Sequence, residues 1–243
     1  MRGLAVMPTI PSRVASAARV VARLLPQVER LVVYLNGHGA VPAWATQPRV
    51  RPVLRPAGTG PGVRFEVGDD LLSSFDVVIF SDDDLDYPPN HVQRAAADLT
   101  RLGPGVVIAY HGSVWPTGAE PRYELRRCTP YFASARVDQR VACMGSGTLA
   151  LRAKDLACVQ DRRPPPDLDR EDDIWFSAAA ARAGLRAVRP RTPAGRIHAL
   201  PTADPGLFGA ASAGGFRRRN EAIRRMLAMG GWRLDARPDD GRP

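Results

Sequence analysis

Four carboxylates fall within five residues at Asp82-Asp83-Asp84-Leu85-Asp86. Such crowding is repulsive unless a positive charge lies among them. In an extended segment Asp82 and Asp84 project to the same side and can share one divalent ion. Hard oxygen donors suit Mg²⁺ or Mn²⁺, ions that keep open positions for phosphate oxygens. The same run also reads as a solvated acidic turn before a helix, with Asp86 or Asn90 as its cap. A calcium loop of the EF-hand type is excluded by spacing, because Tyr87 stands where Gly is needed and Gln93 where Glu is needed.

A second acidic cluster, Glu171-Asp172-Asp173, runs into Ile174-Trp175-Phe176 and opens a predicted helix. Carboxylates there are favoured by the helix dipole, which by itself accounts for them. The bulky apolar run should bury one side of the cluster, however, and it supplies a carboxylate separate from the first set. One group to hold a metal and one to accept a proton is the division of labour needed to activate an acceptor hydroxyl. Pro8-Thr9-Ile10-Pro11-Ser12-Arg13 offers backbone N–H groups, hydroxyls and a cation at the end of a strand, and Arg13 can pair bidentately with a diphosphate. An ordinary capped turn with a surface arginine is the other reading. Gly145-Ser146-Gly147-Thr148 either brings backbone close to a substrate or makes a hairpin turn. Taken singly, His198, Arg64, Arg189 and Arg196 read as structural or surface residues.

These residues need elements to position them. Gly3 to Met7 and Arg30 to Asn36 read as strands around a helix over Val14 to Leu25, with Ser12 as its cap: a parallel βαβ unit. Asp76 to Phe80 is a short buried strand that delivers the first aspartate cluster at its carboxyl end, where open α/β sheets bind ligands. Residues 38 to 62 are rich in Pro and Gly, with a short strand at Val50 to Leu54, and a helical stretch follows over Val63 to Ser74. A helix over Asn90 to Leu102 and a strand over Val106 to Tyr110 come next; 111 to 140 shows no clear order. Val137 to Met144 and Thr148 to Arg152 read as strands flanking the Gly-Ser-Gly turn. Asp169 can cap a helix over Glu171 to Arg182, Leu185 to Arg189 returns as a strand, and a basic helix over Phe216 to Met229 precedes a frayed tail.

The 243 residues suffice for one substantial core, and 44% hydrophobic with 24% charged content is ordinary for a globular protein. No stretch approaches the roughly 20 apolar residues of a membrane span, and the N-terminal apolar run is too short for a signal peptide, so a cytoplasmic protein is expected. Cys128, Cys143 and Cys158 are unpaired in number and spacing, which points to reduced thiols. The net charge of +9 favours anionic partners, although Lys154 is the only lysine and the arginine excess also fits a coding bias.

Together the segments resemble a bacterial family-2-like glycosyltransferase of the GT-A fold. The resemblance is carried by Met7 to Arg13, Leu25-Pro26-Gln27-Val28, Val33 to Gly37, Asp82 to Pro88, His111-Gly112, Met144 to Thr148 and Asp172 to Phe176, in that order. It implies an α/β fold with a mostly parallel central sheet flanked by helices: a single domain over 1–200, nucleotide-binding in its N-terminal half and acceptor-side in its C-terminal half, before a basic helix and tail over 201–243. It implies a nucleotide-diphosphate sugar donor, a UDP-sugar being favoured, contacted by Thr9, Pro11, Arg13, Asn36, Arg64, Asp82, Asp83 and Arg196. Mn²⁺ or Mg²⁺ would be held by Asp82 and Asp84, with His198 completing the site. Asp173 matches the position of the catalytic base of inverting members best, and Asp172 second. Gly145, Ser146, Gly147 and Trp175 would lie on the acceptor side. Arg64 stands near where relatives often carry a lysine.

The acceptor is open at this stage. An anionic compound fits the charge, as does nucleic acid with hydroxylated bases, for which Arg217, Arg218, Arg219, Arg224 and Arg225 would form a phosphate-tracking face. A nucleotidyltransferase would carry a Gly- and Lys-rich phosphate loop near the N-terminus, absent here; a non-catalytic nucleotide- or nucleic-acid-binding module requires both acidic clusters to be incidental.

Overall fold

Uninterrupted apolar runs build the centre of the molecule. In the computed structural model, which describes residues 1–202 and 206–235, every residue of β1 (Gly3–Thr9) is buried, as are all but the first of β2 (Arg30–Asn36). Strands covered on both faces read this way because helices lie on either side. The remaining strands are β3 (Val50–Arg55), β4 (Val77–Ser81), β5 (Leu85–Asp86), β6 (Val106–Ala109), β7 (Gly112–Val114), β8 (Arg127–Thr129), β9 (Gln139–Arg140), β10 (Cys143–Met144), β11 (Thr148–Arg152), β12 (Arg186–Arg189) and β13 (His198–Ala199). The helices are α1 (Val14–Leu24), α2 (Asp69–Leu72), α3 (His91–Leu102), α4 (Ala153–Ala157), α5 (Asp172–Arg182), α6 (Gly206–Ala213) and α7 (Arg217–Ala228).

Eight strands form the main sheet in the order β3-β2-β1-β4-β11-β6-β12-β9. Pairing is parallel from β3 through β4 and between β6 and β12, while β11 runs antiparallel between β4 and β6, and β9 antiparallel to β12. This is the expected mostly parallel α/β sheet. One face is covered by α1 and α3 through Val20, Leu24, Ala95 and Leu99. The other is covered by α4 and α5, where Phe65 and Phe176 stack at 4.2 Å with Phe80 tilted against them. A third cluster joins Ile174, Trp175 and Ala178 of α5 to Ala222, Ile223 and Met226 of α7.

Several local expectations are corrected. Val63 to Ser74 is not one helix: a 3₁₀ stretch Pro61–Glu66 and the single-turn α2 are separated at Gly68, whose backbone is extended. Val137 to Met144 is not one strand, because the chain crosses between sheets: Val141 N–H bonds Ala187 O, and Ala142 N–H bonds Ser113 O. β10, the end of that expected strand, then pairs with β7, and β7 with β8, in a separate three-stranded sheet; β7 and β8 come from the region without clear order. α1 follows a 3₁₀ turn over Pro11–Arg13 and has Arg13, not Ser12, at its N-cap. Asp169 does not cap α5; its carboxylate accepts from Gly60 N–H at 2.6 Å. The tail is not frayed as far as Asp235, since Trp232 is buried with its indole N–H on Ala142 O, and Trp115 N–H bonds Leu234 O.

Candidate active site

β1 and β4 are parallel neighbours, so their carboxyl ends open side by side, and the loop after β1 meets the turn after β4. Arg13 bridges them. Its Nη1 donates to Asp83 Oδ1 at 2.9 Å and to Asp84 Oδ2 at 2.8 Å. The aspartate run is a turn, not the extended segment expected, yet the alternation survives in exposure: the side chains of Asp82 and Asp84 are 35% and 29% exposed and that of Asp83 only 6%. Asp83 therefore points inward, beside the Thr9 hydroxyl. Burial first, then the charge of Asp82, pushes the Asp84 carboxyl up to about 7 despite Arg13.

Arg64 is the second cation, buried in the 3₁₀ stretch before α2. Its Nη1 donates to Asp82 Oδ1 at 2.8 Å, its Nε to Pro61 O at 3.1 Å, and its Nε lies 3.2 Å from Asp172 Oδ2. Burial opposes its charge, but Asp82 and Asp172 offset that and hold the guanidinium protonated. Asp172 is itself buried, and burial raises its carboxyl to about 7, with Arg64 and the Ser146 hydroxyl pulling the other way. Four carboxylates (Asp82, Asp83, Asp84, Asp172) thus face two guanidiniums (Arg13, Arg64), a surplus of two negative charges when all are ionised.

The Gly-rich turn completes the wall. A Cβ on Gly147 would lie 1.9 Å from Asp82 Oδ2, so only glycine permits this approach. Tyr87 ties the two segments, its hydroxyl donating to Gly147 O at 2.6 Å and accepting from Asp82 N–H at 2.8 Å. Gly145 presses on the His111 ring, and Ser146 is buried against Asp172.

Asp173 belongs to a different set of contacts. Arg219 Nη1 donates to Asp173 Oδ2 at 2.7 Å and to the Tyr123 hydroxyl at 2.8 Å. The guanidiniums of Arg126 and Arg219 lie 3.5 and 4.6 Å from the Tyr123 ring centroid. His111 sits between the two groups and feels both Asp173 and Asp82; burial lowers its imidazole despite them, and its Nε2 is 3.4 Å from Cys128 Sγ.

Of the other residues singled out in the sequence, Asn36 ends β2 at the same sheet edge and donates to Gly60 O at 3.2 Å. Pro11 is exposed in the 3₁₀ turn beside Arg13. His198 is exposed on β13, in register with Asp86, one residue before Ala199; Leu200 N–H then bonds Asp84 O. Among the described residues no three His, Cys, Asp or Glu side chains gather as a metal-holding group. Arg196 reaches Asn90 and the Tyr110 ring, not the aspartates. Trp175 is buried against α7, its indole N–H on Asp161 O. The proposed phosphate-tracking face is largely engaged: Arg218 pairs with Glu171, Arg219 with Asp173, Arg225 with Asp167 and Arg224 with Glu221. Sequence reasoning gave no role to Tyr87, Tyr123 or Cys128. It also stopped one residue short of His38, which hydrogen-bonds the Ile10 backbone and feels Asp83. Tyr87 lay inside the quoted motif; the others had no periodic or spacing signal.

A mostly parallel sheet with an antiparallel β11 inserted beside β4, and an acidic turn at the carboxyl end of β4, defines a GT-A-type fold. The solved structure of GalNAc-T7 with UDP, GalNAc and Mn²⁺ matches 83% of this chain with a TM-score of 0.61 at 10% identity. This chain spans 44% of that one, and at such identity the likeness is one of fold. No protein-family model and no curated protein matches the sequence.

Proposed function

We propose that the protein is a metal-dependent, inverting glycosyltransferase of the bacterial family-2-like type, moving a sugar from a nucleotide diphosphate, UDP being favoured, to an acceptor hydroxyl. The observation that carries this reading is the surplus of two carboxylates over two arginines at the carboxyl ends of β1 and β4, in a GT-A-type fold. That surplus matches one divalent cation, and the half-open Asp82 and Asp84 present hard oxygen donors to it. They would hold Mn²⁺ or Mg²⁺, His198 being a further donor if its side chain turns toward them; the ion would supply positive charge to the departing diphosphate. Arg13 adds a second positive charge at the same edge and would orient the diphosphate oxygens. Thr9 and Asn36 line the nucleotide side.

Asp172 is the better candidate for the base, reversing the order that the sequence suggested. It is buried beside Asp82 and Ser146, with a carboxyl raised close to neutrality, as a general base requires. Asp173 pairs with Arg219 as Asp172 pairs with Arg64, but only the Asp172 pair is shared with Asp82. In the step itself the acceptor O–H proton passes to Asp172 and the oxygen forms the new bond to the anomeric carbon. The bond from that carbon to the diphosphate breaks, its electron pair leaving with the diphosphate.

The test is turnover of a panel of nucleotide-sugars, read as released nucleotide. Asp172→Asn should lower turnover by roughly 10²- to 10⁴-fold with donor affinity retained, and Asp173→Asn should do less. Full activity in Asp172→Asn removes this assignment, and inertness toward every nucleotide-sugar removes the reading.

A further inference from the structure

A cavity of about 230 Å³ lies between the start of α5 and the turn from α6 into α7, lined by Arg170, Glu171, Phe216, Arg217, Arg218 and Arg219. Four guanidiniums and one carboxylate face a single small space. Arg218 is held by both Glu171 carboxylate oxygens at 3.2 Å, and Arg219 by Asp173. Arg170 and Arg217 are exposed and have no carboxylate partner among the described residues. The cavity therefore retains two uncompensated positive charges.

One of those two charges, that of Arg217, also stands where a helix start disfavours it. Arg217, Arg218 and Arg219 occupy the first three positions of α7, where no acidic residue is present and where the helix dipole disfavours cations. An anion in the cavity would relieve that repulsion. The space is smaller than the roughly 300–1,000 Å³ of sites that enclose a whole drug-sized ligand, so it suits a charged head group. The cavity borders the start of α5: Glu171 lines it, and Arg219, in the same wall, bonds Asp173.

We infer that this cavity binds a phosphate group carried by the acceptor, with Arg170 and Arg217 as its principal ligands. The inference rests on the glycosyl-transfer reading for the word acceptor; the phosphate site stands on the cavity alone. Arginine suits phosphate through its planar, bidentate donors. The phosphate can belong to a soluble sugar phosphate or to a lipid phosphate, since the α6 segment that contributes Ala211 carries no charged residue.

The experiment titrates hexose 6-phosphate into full-length protein, with and without saturating UDP and Mg²⁺, followed by ³¹P NMR. Binding should weaken roughly tenfold or more in Arg170→Ala/Arg217→Ala and fall with added salt, while UDP affinity is unchanged. A parallel arm measures co-sedimentation with phosphatidylcholine vesicles containing dodecyl phosphate. Loss of retention in the double variant assigns the lipid source, and loss confined to the soluble titration assigns the sugar phosphate. Equal phosphate binding and equal vesicle retention by wild type and double variant overturn the inference, as does failure of the wild type to bind either compound. Failure of the donor reading is distinct: UDP would then not bind, while the titration without UDP would still report on the cavity.

Discussion

Arg64→Met should be the most damaging single change short of the core, because it leaves two acidic clusters facing each other without their shared cation. Arg64 donates to Asp82 at 2.8 Å and lies 3.2 Å from Asp172, and Asp172 is buried. Removing one partner of a buried ion pair typically costs about 3–5 kcal/mol, a large share of the roughly 5–15 kcal/mol available to a domain. The deficit should depend on pH with a defined sign. Burial already raises the Asp172 carboxyl to about 7, above its unfolded value. The native state thus holds more protons than the unfolded state between those values, and this group's contribution to stability declines as pH rises through about 7. Taking away the guanidinium that lowers this carboxyl raises it further, so the variant's deficit should be larger at pH 8 than at pH 5.5. Urea unfolding followed by circular dichroism, with EDTA present, reads both values. Arg64→Met/Asp172→Asn should recover part of the loss at pH 8, because the two sites are coupled. A variant within about 0.5 kcal/mol of wild type at pH 8, a scale of ordinary surface changes, would refute the reasoning; so would a deficit identical at both pH values.

Gly147→Ala places a methyl group 1.9 Å from Asp82 Oδ2 and should cost about 1–3 kcal/mol by overpacking, with weaker Mn²⁺-dependent UDP binding measured by calorimetry. His91 is buried between the Tyr87 and Tyr110 rings, its Nδ1 has no hydrogen-bond partner, and burial lowers its imidazole to about 3. The unfolded chain takes up that proton first, so acidification from pH 7.5 to 5 should cost about 2 kcal/mol through this group; His91→Phe should remove that share in urea melts. Trp232→Ala should lose about 3–5 kcal/mol, because the indole is buried and bonds Ala142 O; near-neutral thermal unfolding would count against the docking of the C-terminal segment.

What the sequence made legible follows from the range of the interactions involved. β1, β2, β4 and β6 are continuous apolar runs, and the amphipathic α1 and α3 repeat at helical spacing, so local pattern located them. The Asp82–Asp84 run and Asp172-Asp173 were visible because carboxylates so close together need an explanation. β7 and β8 were hidden because strands of three residues carry no periodicity and exist only through their pairing. Arg218, Arg219 and Arg225 looked like part of a free basic face because their partners, Glu171, Asp173 and Asp167, lie more than forty residues earlier. Arg64 is the sharpest case. Nothing local distinguishes it from a surface arginine, and only the fold brings it between Asp82 and Asp172.

The proposed function stands on Asp82 and Asp84 holding the ion on which a nucleotide diphosphate docks. Calorimetric titration of UDP into wild type and Asp84→Asn, each with Mn²⁺ and with EDTA, tests it most directly. Wild type should bind UDP at least tenfold more tightly with Mn²⁺, and Asp84→Asn should abolish this difference while its circular dichroism spectrum is unchanged. Equal UDP affinity of the wild type with Mn²⁺ and with EDTA would contradict it.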